Sequence, residues 1–181
     1  MVSGGSPDAK VTVVVWQDYR CPVCKRMFLP TQQVLDRRER DLSAKVEYRA
    51  ITLIDYTQSG HGSAMAANAS LCAANAEAFD SYRTLLFRDQ PDEQTDSYAD
   101  PQKLIDLAKQ IANLDTPAFE SCVKTMPYAA AIRATQKEFD ALDINGVPAY
   151  YINGTKWNPP VGVTDPQQVA AALDQAIMAA K

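Results

Sequence analysis

Val11-Thr-Val-Val-Val-Trp-Gln-Asp-Tyr-Arg-Cys-Pro-Val-Cys24 is the stretch on which the fold turns. Val11–Trp16 is continuous, apolar and mostly β-branched, as in a strand covered on both faces, and it predicts a central strand of parallel type. Gln17–Arg20 is a short loop. Cys21-Pro-Val-Cys24 then opens a helix. Pro22 suits the first helical position, where a missing N–H is no loss. Cys24, Met27, Phe28, Thr31, Val34 and Leu35 recur at the spacing of one helical face. Pro30 lies inside that pattern and predicts a kink near Arg26–Pro30.

Outward from this stretch the character alternates. Lys45–Ile54 reads as a second strand. His61–Phe79 is Ala-rich and helical, Ser81–Arg88 a short helix, and the polar run 89–100 a loop. Asp100-Pro101 starts a helix with Leu104, Ile105, Ala108 and Ile111 on one face. Thr116-Pro117 starts the next, lined by Phe119, Cys122, Val123 and Met126, and Pro127–Leu142 is a further helix. Residues 145–152 return to strand character. Asn153-Gly154 is a strong hairpin signal, and Thr155–Trp157 the returning strand. Thr164-Asp-Pro-Gln167 caps a last helix whose inner face is Val169, Leu173, Ala176 and Ile177. A Cys-X-X-Cys set beside such an alternation reads as a thioredoxin-like redox motif.

Composition narrows the function classes. The chain has 181 residues, 46% hydrophobic and 22% charged, which suits one globular domain or a domain with a large insertion. The most apolar run is strand-sized, so no membrane span is expected, a spanning helix needing about 20 apolar residues. A net charge of −4 and a pI of about 5.0 argue against nucleic acid as a partner. Met1–Ser6 has neither the basic nor the apolar segment of a signal peptide and reads as a linker. The four cysteines, Cys21, Cys24, Cys72 and Cys122, are an even count, which fits a secreted chain and an ordinary cytosolic enzyme alike.

Taken in order, WQDYRCPVCKRMF, the helical block with SLCAANAEAFDSYRTLLF and FESCV, and NGVPAYYING resemble the DsbA-like thiol–disulfide oxidoreductases. That resemblance covers most of the chain. It implies an α/β thioredoxin fold with an inserted all-helical domain. Residues 1–55 would be the first thioredoxin-like part, 56–142 the insertion, and 143–181 the second thioredoxin-like part. It also implies that Cys21 is the nucleophile, Cys24 the resolving residue, and Val147–Pro148 a cis peptide lying against the cysteine pair. Val147 would offer its backbone to an extended substrate. A trans proline at an edge strand is the other reading of Pro148.

The residue types suit that chemistry. A thiolate attacks a disulfide, and Cys21 stands where unpaired helix N–H groups favour an anion. Arg20, Lys25 and Arg26 offer positive field. Pro22 and Val23 tune the redox poise. Valine neither donates a hydrogen bond nor carries charge, so Val23 predicts a higher Cys21 pKa and a weaker oxidant than histidine there. Asp18, three residues before Cys21, is a candidate proton relay or a turn-forming residue. Glu47 is a further carboxylate on the second strand. Thioredoxins carry a buried carboxylate at the position that is Val15 here, a departure from that pattern. Cys72 and Cys122, on inward faces of insertion helices, are expected to form a structural disulfide, with two reduced buried thiols as the alternative. His61, the single histidine, reads as a residue at a helix start.

The expected partners are unfolded or reduced proteins and a redox partner, acting on a monomer. The expected compartment is extracytoplasmic, reached through a signal or anchor outside these residues. No cofactor and no metal are expected. The direction of the reaction, oxidase against reductase or isomerase, stays open. Two competing classes are a zinc site built on Cys21 and Cys24, which needs two more ligands, and a redox-inert peptide-binding module.

Overall fold

The computed structural model describes residues 1–142, 144 and 146–181. Two compact units make up the chain: Met1–Gln17, Val23–Arg49 and Gly146–Lys181 form one, and Asp18–Pro22 with Ala50–Asn145 the other.

Five strands form one sheet: β1 (Val2–Gly4), β2 (Val11–Gln17), β3 (Ala44–Ala50), β4 (Ala149–Ile152) and β5 (Thr155–Trp157), in the order β1-β3-β2-β4-β5. β2 is central, with Val11, Val13 and Val15 buried and Thr12 and Val14 half-buried. Its ladder with β4 is antiparallel, not of the parallel type that its unbroken apolar run predicts. Cover on both faces of the sheet produces such a run, and that cover does not depend on which way a neighbouring strand points. Asn153 at φ 50° and Gly154 at φ 80° make the expected hairpin between β4 and β5.

Residues 2–4 pair antiparallel with β3, Val2 opposite Tyr48 and Gly4 opposite Val46, so the opening residues are an edge strand and not a linker. The free ladder groups of β3 supply what this short segment lacks in hydrophobicity.

α1 (Pro22–Arg40) begins at Pro22, as its missing N–H favours, and runs as one helix through the buried Pro30. Thr31 Oγ1 donates to the carbonyls of Met27 (2.8 Å) and Phe28 (3.3 Å), on the turn that Pro30 leaves one donor short. α8 (Pro166–Ala179) is capped by Asp165, which accepts from the amides of Gln167 and Gln168, and Asp174 joins it to Arg37 and Arg38 of α1.

The second unit is helical: α2 (Leu53–Thr57), α3 (Gly62–Ala74), α4 (Phe79–Arg88), a 3-10 turn Ser97–Ala99, α5 (Pro101–Ala108), α6 (Pro117–Thr125) and α7 (Ala129–Asp140). Ala66, Ala67, Ala69 and Ala73 of α3 are fully buried, which lets neighbouring helices approach closely.

Several boundaries differ from the sequence expectation. β3 stops at Ala50 and Leu53 starts α2, because Gln136 Oε1 binds the Thr52 amide (2.8 Å) and Asp18 binds the Ile54 amide (2.9 Å). α3 ends at Ala74, where Glu77 takes a left-handed φ of 55° and the Ala78 amide bonds back to Ala73. α5 ends before Ile111. The expected start of the last segment at 143, and of strand character at 145, lie outside the described residues.

Candidate active site

Cys21 directly precedes α1 and Cys24 lies on its first turn; both are buried, at 6% and 3% exposure. The Cys21 amide donates to the Asp18 carbonyl at 3.1 Å and closes the turn that leads into the helix. A sulfur at such a helix start faces the N–H groups that the first turn leaves without intrahelical partners.

Residues 18–21 are held by side chains of their own unit. Asp18 is fully buried, and Oδ1 accepts from the Arg20 amide (2.8 Å) and Ser63 Oγ (2.7 Å). Oδ2 accepts from the Ile54 amide. Burial pushes its carboxyl up to about 6 against the pull of these three hydrogen bonds, and the charge of Asp55 adds to the rise. Tyr19 is fully buried and packs on Phe87, ring centroids 5.1 Å apart. Gln90 Nε2 donates to the carbonyls of Tyr19 (2.8 Å) and Cys21 (3.1 Å).

Arg20 does not lend open positive field to Cys21. Its side chain is 1% exposed, with Nη1 2.7 Å from Asp55 and 2.8 Å from Asp96, and Nη2 donating to the Glu93 carbonyl. The same two carboxylates cap α3: Asp55 accepts the amides of Ser63 and Ala64, and Asp96 those of His61 and Gly62. This explains Ser59-Gly-His-Gly62. A Cβ at Gly60 would lie 2.7 Å from Arg20 Nη1, and one at Gly62 2.5 Å from Asp96 Oδ1.

The Val147–Pro148 peptide is cis. The β2–β4 register pairs Trp16 with Ala149, so this peptide sits level with the carboxyl end of β2, from which the chain runs on to Cys21. Val15 is 3% exposed and opposes Tyr150. Glu47 is half-buried between Lys45 (2.9 Å) and Arg49 (3.0 Å). Burial pushes its carboxyl up, but those two cations outweigh it and hold it below its ordinary value.

Cys72 and Cys122 are joined, with an S–S distance of 2.07 Å and a Cα–Cα distance of 5.9 Å. Beside them the buried Asn68 donates to the Cys122 carbonyl and accepts from the Tyr128 amide. The two further sulfurs that a zinc site would draw on are therefore bonded to each other. Among the described residues no group of three or more His, Cys, Asp or Glu is arranged to hold a metal ion, and no helix is long and apolar enough to cross a membrane.

Sequence reading did not single out Asp55, Asp96, Ser63 or Gln90. Each is an ordinary polar residue 35 to 76 positions from its partner in residues 18–21. The one available signal is Gly60 and Gly62 flanking His61, two glycines without a turn to explain both.

A two-cysteine helix start beside a sheet, a cis-proline strand and a helical unit define a thioredoxin fold of the DsbA type. The chain belongs to the thioredoxin family, whose model matches residues 1–175. It is 26% identical over 151 residues to disulfide bond formation protein D of Bacillus subtilis (strain 168), covering 82% of this chain and 66% of that protein. It is also 26% identical over 179 residues to the Na(+)/H(+) antiporter NhaA 3 of Salinispora tropica, covering 97% of this chain and 24% of that protein. The chain thus spans just under two thirds of the first relative and about a quarter of the second. Its fold is similar to that of BdbD from Bacillus subtilis, with a TM-score of 0.79, 22% identity, and 98% and 91% of the two chains covered. For reduced DsbA from Mycobacterium tuberculosis the values are 0.71, 22%, 99% and 98%.

Proposed function

We propose that this chain exchanges disulfides with protein substrates outside the cytoplasm through Cys21-Pro22-Val23-Cys24. In the oxidising direction a substrate thiolate attacks Cys21 of the Cys21–Cys24 disulfide. A mixed disulfide forms on Cys21 and Cys24 leaves as thiolate. A second substrate thiolate then attacks the substrate sulfur and releases Cys21. Two electrons pass to the pair, and a redox partner removes them. The reducing direction is the reverse.

The observation that carries this reading is the placing of Cys21 at the start of α1 with Cys24 one turn on. Val147 and Pro148, level with the end of β2, would offer backbone to an extended substrate segment. Asp18 supports the turn. The Cys72–Cys122 bond favours an oxidising compartment. Residues 56–142 act as the inserted helical domain, between thioredoxin-like segments 1–55 and 143–181.

A second direction, reductase or isomerase, is favoured by Val23, which is 40% exposed and brings neither charge nor donor to the first turn. The test is a Cys24→Ser variant incubated with a protein carrying an accessible disulfide. A mixed disulfide mapped to Cys21 is expected, and absence of any adduct at Cys21 would refute the reading. The reduction potential of the pair then sets the direction: near thioredoxin's for a reductase, well above it for an oxidase.

A further inference from the structure

We propose that Gln90 is a positioning residue that raises the reactivity of Cys21; the proposal rests on Cys21 being the nucleophile. Gln90 follows α4, and its Nε2 faces two carbonyl oxygens, those of Tyr19 and Cys21. Two acceptors in front of one carboxamide fix its orientation, since only the NH2 end can serve both. Each N–H takes one carbonyl, so the side chain bridges the residues on either side of Arg20.

Two consequences follow for Cys21. The first is geometric. The end of α4 grips the turn twice, with Phe87 against the Tyr19 ring and Gln90 on the backbone. Together with the Cys21 amide bonded to Asp18, this fixes both backbone polar groups of Cys21 and hence the direction of its Cβ. The second is electrostatic. The Cys21 carbonyl group and the CβH2–Sγ group branch from the same Cα, and the carbonyl oxygen carries negative partial charge, which disfavours a thiolate beside it. A donor on that oxygen offsets the charge, and a carbonyl has a second lone pair to accept it without giving up the first bond of the helix. The effect is largest where water is excluded, and Cys21 is 6% exposed.

The test is the pH profile of Cys21 alkylation by iodoacetamide. It is done in a Cys24→Ser background, so that Cys21 is the thiol that reacts while Cys72 and Cys122 stay bonded. Gln90→Ala is expected to move the midpoint upward and to slow alkylation below it about three- to tenfold, the scale of one neutral hydrogen bond. Gln90→Glu, similar in shape but without N–H, should move it at least as far, and Gln90→Asn, one methylene shorter, less. Asp18, Arg20, Asp55 and Asp96 on the turn and its clamp, and Lys25 and Arg26 on α1, are untouched in all three. A lowered melting temperature with an unmoved midpoint would make Gln90 a loop anchor only and overturn the proposal. Absence of any mixed disulfide at Cys21 in the Cys24→Ser background would instead sink the reading of Cys21 as nucleophile, and this proposal with it.

Discussion

Arg20 Nη1 lies 2.7 Å from Asp55 Oδ1, in a side chain 1% exposed and one residue before Cys21. The pair is completed by Asp96 at 2.8 Å, and both carboxylates also cap the first amides of α3. One guanidinium thus fastens the turn before Cys21 to the helix that carries Cys72.

Arg20→Met removes the cation and leaves two carboxylates facing each other in a largely buried site. Breaking a buried pair from one side costs about 3–5 kcal/mol, so the urea midpoint should fall steeply. Lysine, a point charge without the guanidinium fork, should restore only part. Gly62→Ala should destabilise in the same direction, because its Cβ would meet Asp96. An unchanged midpoint in Arg20→Met would show that the clamp contributes nothing net.

Asp18 gives a pH dependence with a definite sign. Its carboxyl titrates near 6 in the folded chain and near its ordinary value when unfolded. Between roughly pH 4 and 6 the folded state therefore binds the extra proton, so this group's contribution to stability falls as pH rises through that window. Asp18→Asn lacks the titration, and its amide N–H confronts the donors that the carboxylate accepts, so it should be less stable throughout. The gap between parent and variant should be wider at pH 4 than at pH 7. A gap that is constant, or widens with pH, contradicts the buried high-pKa carboxyl.

The Cys72–Cys122 bond closes a separation of 50 residues. The chain-entropy model assigns about 4 kcal/mol to a loop of that size. A Cys72→Ala/Cys122→Ala double variant should melt lower with its helical content kept near the native level. An identical melting temperature would mean that the surrounding packing alone holds α3 and α6.

Val23→His tests the redox poise. A histidine on the first turn of α1 adds a donor, and a cation when protonated, next to the cysteine motif. It should lower the Cys21 pKa and raise the reduction potential. Equal alkylation profiles for parent and variant would remove Val23 from the tuning residues.

Much of the architecture is legible in local pattern. Val11–Trp16, the 3–4 spacing after Cys24, Asn153-Gly154 and the Asp-Pro and Thr-Pro helix starts carry their signal within a few residues, because strand, helix and turn preferences are local. The misread segments are those where a distant group decides. Val2–Gly4 becomes a strand because β3 has an open edge, and Leu53-Ile54 leaves the sheet because Asp18 and Gln136 capture the amides beside them.

The candidate site divides in the same way. Motif spacing determines Cys21 and Cys24 as candidates, since thiol chemistry names its own residue types, and the family resemblance adds Pro148. Only the tertiary structure decides what surrounds them. Arg20 turns from a field source into a buried clamp, Asp18 into a carboxyl titrating near 6, and Gln90 into a donor on the Cys21 carbonyl. The physical reason is that burial and hydrogen-bond partners set the chemistry of a polar group, and here those partners arrive from 35 to 76 residues away along the chain.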